Sequence, residues 1–183
     1  MRKVVLGLGI SLDGYIARKN GSVDWLSTDW EYDWNAFFGT IDTVLMGRRS
    51  WEKMLEMSPS GGANPYKGMR TYVFSRTMME TGVDGVELER GEVEVFLRSI
   101  RSEEGKNIWL SGGGELARSF LQADLIDELH LGVTPILLGS GIPLFPEFNR
   151  EIPLRLKKNN SCFNKSKDNA MIELVYEVVR QGG

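Results

Sequence analysis

The sequence predicts an α/β domain with a mainly parallel β-sheet and an antiparallel hairpin at its C-terminal end. Apolar runs typical of buried strands alternate with segments of helical periodicity along most of the chain. Near the C-terminus, two strand-like patterns flank a polar loop at 164–169, which is typical of a hairpin. The chain has 183 residues, of which 42% are hydrophobic, so we expect a single domain spanning 1–183.

The first half of the chain begins with a nearly unbroken apolar run at 4–10, typical of a strand covered on both faces. Aromatic residues then recur at helical spacing, which predicts a short amphipathic helix near 29–39. The patterns that follow predict a strand at 43–46, a helix with Trp51, Met54 and Leu55 on its inner face, a loop at 58–68 and a strand at 71–74.

The second half continues the alternation. Val93, Phe96, Leu97 and Ile100 have the i, i+3, i+4, i+7 spacing of a helix. A second helix is predicted after Ser111 and the three glycines of 112–114, ending near Leu121. Strands are predicted at 86–88, at 108–110, at Glu128–Thr134 as a half-exposed or edge strand, at 154–157 and at 171–179.

Composition excludes several classes of protein. The net charge of −3 lacks the basic field that nucleic-acid binding requires. No apolar run approaches the roughly 18 residues of a membrane span. One cysteine and one histidine cannot form a disulfide framework or a multi-histidine metal site. We therefore expect a cytoplasmic protein without bound metal, nucleic acid or membrane.

Three predicted strand ends carry residues suited to an anion. The first is the end of the strand at 43–46, which turns through Gly47 into a helix that begins with Arg48, Arg49 and Ser50. Backbone N–H groups and the helix dipole favour phosphate there. Its alternative is a plain turn with solvated arginines. Ser75-Arg76 is a weaker second end, because alone it reads as a capping turn.

The third strand end is 112–114, three glycines between a buried strand and a helix, which suggests close backbone approach to a pyrophosphate. A tight junction required by packing is its alternative. Standard nucleotide motifs are not present: the GxGxxG that begins at Gly7 has Leu12 in its third glycine position, and there is no GxxxxGK[ST]. A hydrolase is disfavoured too, because the chain has no GxSxG and His130 lies in an alternating strand.

Four stretches resemble known enzymes. Positions 44–52 (VLMGRRSWE) and 108–116 (IWLSGGGEL) resemble the two signatures of the dihydrofolate reductase superfamily. Positions 11–17 (SLDGYIA) and 135–145 (PILLGSGIPLF) resemble, more narrowly, the reductase (C-terminal) domain of the bacterial bifunctional riboflavin-biosynthesis deaminase/reductase. The resemblance covers nearly the whole chain in the family's order. It implies a three-layer dihydrofolate reductase-like fold, here without the HxE…PCxxC zinc site of the deaminase half.

This resemblance implies an NADPH-dependent reductase. Arg48 and Arg76 would hold the 2′-phosphate with Ser75, and Ser50 would meet the pyrophosphate. The other residues implied to bind the cofactor are Gly47, Arg49, Gly112, Gly113, Gly114, Glu115 and Leu116 around the phosphates, and Gly9, Ile10 and Ile16 near the nicotinamide. The family carries a cis peptide at this junction, so Gly112–Gly113 and Gly113–Gly114 are its candidate positions.

Three carboxylates are candidates for proton transfer by the same resemblance. Counting back without gaps from Met46 reaches Glu31 as the family's acidic residue. Asp33 could serve instead if the helix is shifted. Asp13, in the Asp-Gly motif, could lie near the substrate or only shape its turn.

The reaction implied is hydride transfer to a C=N or C=O carbon of a small heterocyclic or ribosylamino substrate, as in 5-amino-6-(5-phosphoribosylamino)uracil reductase of riboflavin biosynthesis. The alternatives are dihydrofolate reductase activity and a non-catalytic NADP(H)-binding module. Segment 136–145 is apolar between glycines and prolines, which predicts a pocket wall or, as we favour, a homodimer contact.

Overall fold

The computed structural model describes residues 1–58, 64–164, 166 and 168–180. Its strands are β1 (Val4–Ser11), β2 (Tyr15–Ala17), β3 (Ile41–Gly47), β4 (Arg70–Phe74), β5 (Val86–Glu89), β6 (Asn107–Gly112), β7 (Glu128–Thr134), β8 (Ile142–Pro143), β9 (Leu154–Phe163) and β10 (Ala170–Val178). Its helices are α1 (Trp34–Gly39), α2 (Arg48–Met57), α3 (Val93–Arg101) and α4 (Gly114–Gln122). Within these described ranges, no helix has the length and apolar character needed to cross a lipid bilayer.

Eight strands form one sheet in the order β5-β4-β3-β6-β1-β7-β10-β9. The strands from β5 to β7 are parallel, and β10 runs antiparallel to both of its neighbours. This is the predicted mainly parallel sheet with a C-terminal hairpin. Because the six parallel strands point the same way, their carboxyl ends share one edge, where ligands of open α/β sheets bind.

Helices cover both faces of the sheet and make three layers. On one face, α3 and α4 bury Phe96, Leu97 and Phe120 in the larger core. On the other face, α2 buries Trp51 completely, and the Trp51 indole N–H donates to the Thr81 carbonyl over 3.0 Å. The phenylalanines of α1 pack against the same second core. The two cores pack along the strands and so hold the sheet, including its carboxyl edge, in place.

Several predicted elements are corrected. The helix expected near 29–39 begins only at Trp34, because Trp30 forms an isolated antiparallel bridge with Asn164 and is buried. The strand Glu128–Thr134 lies between β1 and β10, so its placement at an edge is wrong, and its residues are buried or half-buried. The hairpin strand predicted at 154–157 extends to Phe163 and is itself the edge.

Parts of two predicted loops lie outside the described residues. These are positions 59–63 of the loop at 58–68, and positions 165 and 167 of the loop at 164–169. The two-stranded sheet of β2 and β8 was not predicted. It pairs Tyr15 with Pro143, so its existence depends on tertiary contact between distant parts of the chain.

Candidate active site

Two strand–helix junctions meet at the carboxyl edge of the sheet. β3 ends at Gly47, and a Cβ atom placed on Gly47 would lie 3.5 Å from the Gly113 nitrogen and 3.7 Å from the Gly112 oxygen. β6, the neighbour of β3, ends at Gly112. The predicted anion sites at Gly47 and at 112–114 are therefore one place in the structure.

Both helices that start here have glycine N-caps. Gly47 caps α2 and Gly113 caps α4, and no described side chain makes a cap hydrogen bond to either helix. The first backbone N–H groups of a helix need partners, and the helix dipole makes that end favourable for negative charge. Two such ends side by side are suited to a group with more than one anionic centre.

The Gly112–Gly113 peptide bond is cis, at the first of the two predicted positions, and Gly112 has a φ of 126°, which favours glycine. The Ser50 hydroxyl lies over this bond, 3.0 Å from where a Cβ of Gly113 would be. Ser50 is thus the side chain nearest to a Cβ placed on Gly113, and its contact with a pyrophosphate stays a prediction.

Gly114 differs from its neighbours. A Cβ on Gly114 would lie 2.6 Å from the Pro143 carbonyl oxygen, in backbone that cannot easily move. Packing against β8 therefore requires glycine at this third position. For Gly114, the tight junction set by packing is the explanation that fits, rather than close approach to a pyrophosphate. Beyond it, Glu115 is exposed in the first turn of α4, and Leu116 is half-buried beside Gly47.

The arginines lie at the outer side of the junction. Gly47 pairs with Phe74 in the sheet, so Arg48 and Ser75 are the residues that directly follow the ends of the two adjacent strands β3 and β4. Arg48 forms an i,i+4 ion pair of 3.1 Å with Glu52, and both side chains are about half exposed. Such surface pairs contribute little to stability, so Arg48 can exchange its partner for a phosphate at small cost.

The turn that follows β4 is held by its own hydrogen bonds. The Ser75 hydroxyl oxygen accepts from the Thr77 and Met78 backbone N–H groups at 3.2 and 2.9 Å. Arg90 donates to the carbonyl oxygens of Arg76 and Met78. The Arg76 side chain projects into solvent, 3.6 Å from Glu92. Arg49 is exposed on the first turn of α2. Arg90, which braces the turn from a distant position, gave no signal in the sequence.

β1 presents Gly9 and Ile10 to opposite faces of the sheet. The Leu26 side chain covers Gly9, with Cδ1 2.6 Å from the place of a Gly9 Cβ. Ile10 is buried in the core beneath α4, and Ile16 packs against the same core. Of the three residues predicted near a nicotinamide, Gly9 is therefore on the face of α1 and α2, and the two isoleucines belong to the other core.

Three aromatic side chains, Phe37, Tyr66 and Trp109, form an aromatic wall beside Gly7 on the face of the sheet that packs against α1. The Trp109 indole N–H donates to the Gly7 carbonyl over 2.7 Å, and the rings of Phe37 and Tyr66 stand edge-on to Trp109. Burial raises the pKa of Tyr66, and a hydrogen bond to Ser111 opposes that rise. Tyr66 gave no signal in the sequence, because its proximity to Ser111 depends on the folded loop before β4.

The three candidate carboxylates lie in three different settings. Glu31 is exposed ahead of α1, and its backbone N–H donates to the Phe163 carbonyl over 2.8 Å. Asp33 is the N-cap of α1 and accepts from the Ala36 N–H at 2.9 Å. Neither residue lies within a helix, because α1 begins at Trp34.

Asp13 ties together two loops. Its carboxylate accepts from the Ser11 hydroxyl at 2.6 Å and from the backbone N–H groups of Leu138 and Gly139 at 3.1 and 2.7 Å. The Ser11 hydrogen bond is the main reason why the pKa of Asp13 is lowered. This arrangement fits the alternative in which Asp13 shapes its turn.

Sequence and structure comparisons identify the family. Residues 2–166 match the family model of the RibD C-terminal domain. The chain belongs to the RibD C-terminal domain family. It is similar to the Bacillus subtilis (strain 168) protein YwjB, with 38% identity over 159 residues that cover 85% of this chain and 90% of YwjB.

Solved structures agree with this family. One is a protein from Shewanella sp. PV-4 that is described as a riboflavin biosynthesis protein. It is 29% identical to this chain and superposes with a TM-score of 0.81, and the match covers 98% of this chain and 100% of the Shewanella chain. Dihydrofolate reductase from Enterococcus faecalis, solved as a complex with NADP(H), has a TM-score of 0.70 at 17% identity, over 97% of both chains. The predicted dihydrofolate reductase-like fold and the resemblance to RibD-type reductase domains are therefore confirmed.

Proposed function

We propose that this RibD C-terminal domain protein is an NADPH-dependent reductase. The observation that carries the proposal is the junction of two uncapped helix N-termini at Gly47 and Gly112–Gly113, with the Ser50 hydroxyl over it. The E. faecalis neighbour, which shares the fold, was solved with NADP(H). That this chain uses the same cofactor is our proposal.

The residues present fit a dinucleotide polyphosphate. Backbone N–H groups at the starts of α2 and α4 would bind the pyrophosphate together with Ser50. Arg48, Ser75 and Arg76, on neighbouring strand ends, would bind a 2′-phosphate, and Arg90 holds the turn that carries Arg76. Arginine pairs bidentately with phosphate, which supports NADPH over NADH as the partner.

Bound NADPH would supply hydride to an electrophilic C=N or C=O carbon. The protein would contribute orientation: Gly9 lies on the face lined by Trp109 and Tyr66, and this wall would position a flat substrate. We propose a small heterocyclic or ribosylamino substrate, in line with the riboflavin reductases of the family. The proton would come from Glu31, Asp33, Asp13 or bound water. Asp13 is the weakest of these candidates because its carboxylate already accepts three hydrogen bonds within the protein.

Differential thermal unfolding with NADPH and NADH tests the cofactor. At about 100 times its dissociation constant a ligand stabilises the native state by about 2.7 kcal/mol, a readily measured rise in Tm. We expect a clear rise with NADPH and a smaller one with NADH. Arg48→Ala should reduce the NADPH effect to that of NADH, and Arg155→Ala, on the distant strand β9, should leave it unchanged.

The absence of a Tm rise with either nucleotide would contradict the proposal. Turnover is followed separately, as the loss of NADPH absorbance with a phosphoribosylaminopyrimidine or with dihydrofolate. Binding of NADPH without turnover of either compound would favour the non-catalytic NADP(H)-binding module. Turnover of dihydrofolate alone would favour a folate reductase.

We also propose that the protein acts in the cytoplasm as a homodimer. Segment 136–145 supports the dimer because it exposes Leu137, 68% accessible, and Phe145, and Leu12 of the loop after β1 is exposed as well. The backbone bond from the Leu12 N–H to the Ile136 carbonyl brings these two loops together. An exposed apolar group of this kind is typical of a contact between proteins.

A further inference from the structure

The aromatic wall carries a pair of hydroxyl groups. The Tyr66 ring stands edge-on to Trp109 with 5.4 Å between the ring centroids, and the Tyr66 hydroxyl is hydrogen-bonded to the Ser111 side chain. Ser111 directly precedes the cis peptide bond between Gly112 and Gly113. The pair therefore lies where the aromatic wall meets the junction of α2 and α4.

Ser111 is set apart within its own strand. In the pairing of β3 with β6, Leu45 faces Leu110, and the next residue of β3, Met46, faces Gly112. Ser111 is thus the extra residue of a β-bulge and is left without a paired residue in β3. Bulges are enriched next to active sites, where they re-aim a side chain. The hydrogen bond to Tyr66 shows that the Ser111 side chain is directed towards the aromatic wall.

The Tyr66 hydroxyl has capacity for one more hydrogen bond. A phenol has one O–H donor and an oxygen that accepts. Because the hydrogen bond from Ser111 lowers the pKa of Tyr66, Ser111 is the donor in this pair, and the phenol O–H can donate to a ligand. Tyr66 and Ser111 are each only partly buried, whereas Trp109 is 8% exposed and its indole N–H is bound to the Gly7 carbonyl.

We propose that Tyr66, held by Ser111, donates a hydrogen bond to the nitrogen or oxygen atom of the C=N or C=O bond that is reduced. This inference rests on the proposed reductase function and adds the residue that recognises the reacting bond. It restricts the substrate to one whose reducible bond offers a lone pair to a phenol O–H. The proton that completes the reaction still comes from the sources proposed above.

The chemistry of the reduction explains what this hydrogen bond would do. When hydride adds to the carbon atom, negative charge develops on the neighbouring nitrogen or oxygen atom. A fixed donor stabilises that charge more than it stabilises the uncharged double bond. Burial raises the pKa of Tyr66, so the phenol keeps its proton at neutral pH and remains a donor. The hydrogen bond from Ser111 stabilises the charge that the phenol oxygen takes on as it donates.

The first test needs neither nucleotide nor turnover. Uracil, a flat heterocycle with carbonyl acceptors, is titrated into protein labelled with ¹³C at the Cζ atoms of its five tyrosines. We expect the Tyr66 resonance, identified by its loss in Tyr66→Phe, to shift when uracil binds. The Tyr72 resonance should stay in place, because Tyr72 packs in the larger core on the opposite face of the sheet.

Four variants connect binding to the hydroxyl pair, and the Kd of uracil is followed in each through the Trp109 indole N–H resonance. Tyr66→Phe should raise this Kd about tenfold. Ser111→Ala should raise it by a smaller factor, and Ser111→Thr, which keeps the hydroxyl, should leave it near the wild-type value. Tyr72→Phe is the matched control and should leave it unchanged.

Turnover gives a second measurement. With the compound that the wild-type protein reduces, Tyr66→Phe should lower kcat about 100-fold, as expected when one fixed donor to a developing charge is lost. The Tm rise caused by NADPH should be unchanged in this variant, whereas a purely structural role of Tyr66 would lower both together. Tyr72→Phe should keep the wild-type kcat.

An unshifted Tyr66 resonance at millimolar uracil, with or without binding elsewhere, would overturn the inference. Uracil binding to Tyr66→Phe as tightly as to the wild type would overturn it too, as would an unchanged kcat in that variant. The absence of a Tm rise with NADPH would instead contradict the cofactor proposal. Because the uracil titration contains no nucleotide, it would still decide whether Tyr66 recognises an acceptor atom.

Discussion

At the residue scale, each of the three glycines of 112–114 is needed for a different physical reason. Gly112 has a φ that other residues rarely adopt, Gly113 leaves room for the Ser50 hydroxyl, and Gly114 leaves room for the Pro143 carbonyl. A uniform run in the sequence thus combines a strand-end conformation, a candidate ligand contact and a packing requirement. The run predicts the site, but only the fold separates these three roles.

Gly114→Ala tests the packing role. The new methyl group would meet the Pro143 oxygen at 2.6 Å, so we expect a loss of about 1–3 kcal/mol in the free energy of unfolding, measured with urea. Gly39→Ala in α1 is the matched control: its Cβ would meet nothing within 4 Å, and it should stabilise the protein by up to about 1 kcal/mol. Equal effects of the two substitutions would contradict the packing argument.

Asp13 makes stability depend on acid pH. Its pKa is lowered in the folded protein from an ordinary value of 3.8, so its contribution is complete above that value and is lost as the pH falls through the lower folded pKa. We expect Asp13→Asn to lower Tm at neutral pH and the difference from wild type to shrink as the pH falls below 3.8.

The comparison for Asp13 is Asp84→Asn, an exposed carboxylate on the loop before β5. This substitution should leave Tm at neutral pH nearly unchanged. A difference between wild type and Asp13→Asn that stays constant down to the acid limit would show that the carboxylate charge has no part in holding Leu138 and Gly139.

At the scale of elements, α1 is a short helix whose start depends on Asp33. Asp33→Ala should cost about 0.5–2 kcal/mol of stability, and Asp33→Asn should keep the stability because asparagine caps equally well. If Asp33 is the proton source, Asp33→Asn lowers kcat at unchanged Tm. If Glu31 is the source, Glu31→Gln does so instead, and turnover with each variant decides between them.

The sequence predicted α1 too long because aromatic spacing alone cannot show which rings face which partner. Trp30 has the right spacing for the helix, but it is buried against Cys162 and Met171 of the C-terminal hairpin. Strongly patterned elements were predictable: α3 buries Phe96, Leu97 and Ile100 at the spacing that identified it.

The sequence predicted the part of the candidate site that consists of backbone at strand ends. It did not predict the part that depends on contacts between distant loops. Gly47 and Gly112–Gly113 come together because β3 and β6 are neighbours, and glycine-rich strand ends signal such a meeting. Leu26 over Gly9 and the bracing of the Arg76 turn by Arg90 required loops to fold back. No local pattern encodes those contacts.

At the scale of the whole molecule, the proposed homodimer has a direct test. Leu137→Asp places a charge at the exposed position 137 of segment 136–145, so we expect sedimentation equilibrium to change from the mass of a dimer to that of a monomer. Leu156→Asp, on the exposed strand β9, is the control and should remain a dimer. Dissociation by Leu156→Asp alone would locate the contact on β9 instead.

The exposed edge of β9 has a consequence for how copies of this chain behave at high concentration. An open edge strand presents unpaired backbone groups that can recruit a strand from another molecule. Here Arg155, Lys157 and Lys158 project from that strand, and their carboxylate partners Glu177 and Glu173 lie inward on β10. If the β9 edges of two molecules approached each other, the basic side chains of one would face those of the other. The resulting Coulomb repulsion opposes strand pairing between molecules and so opposes fibre growth from this edge.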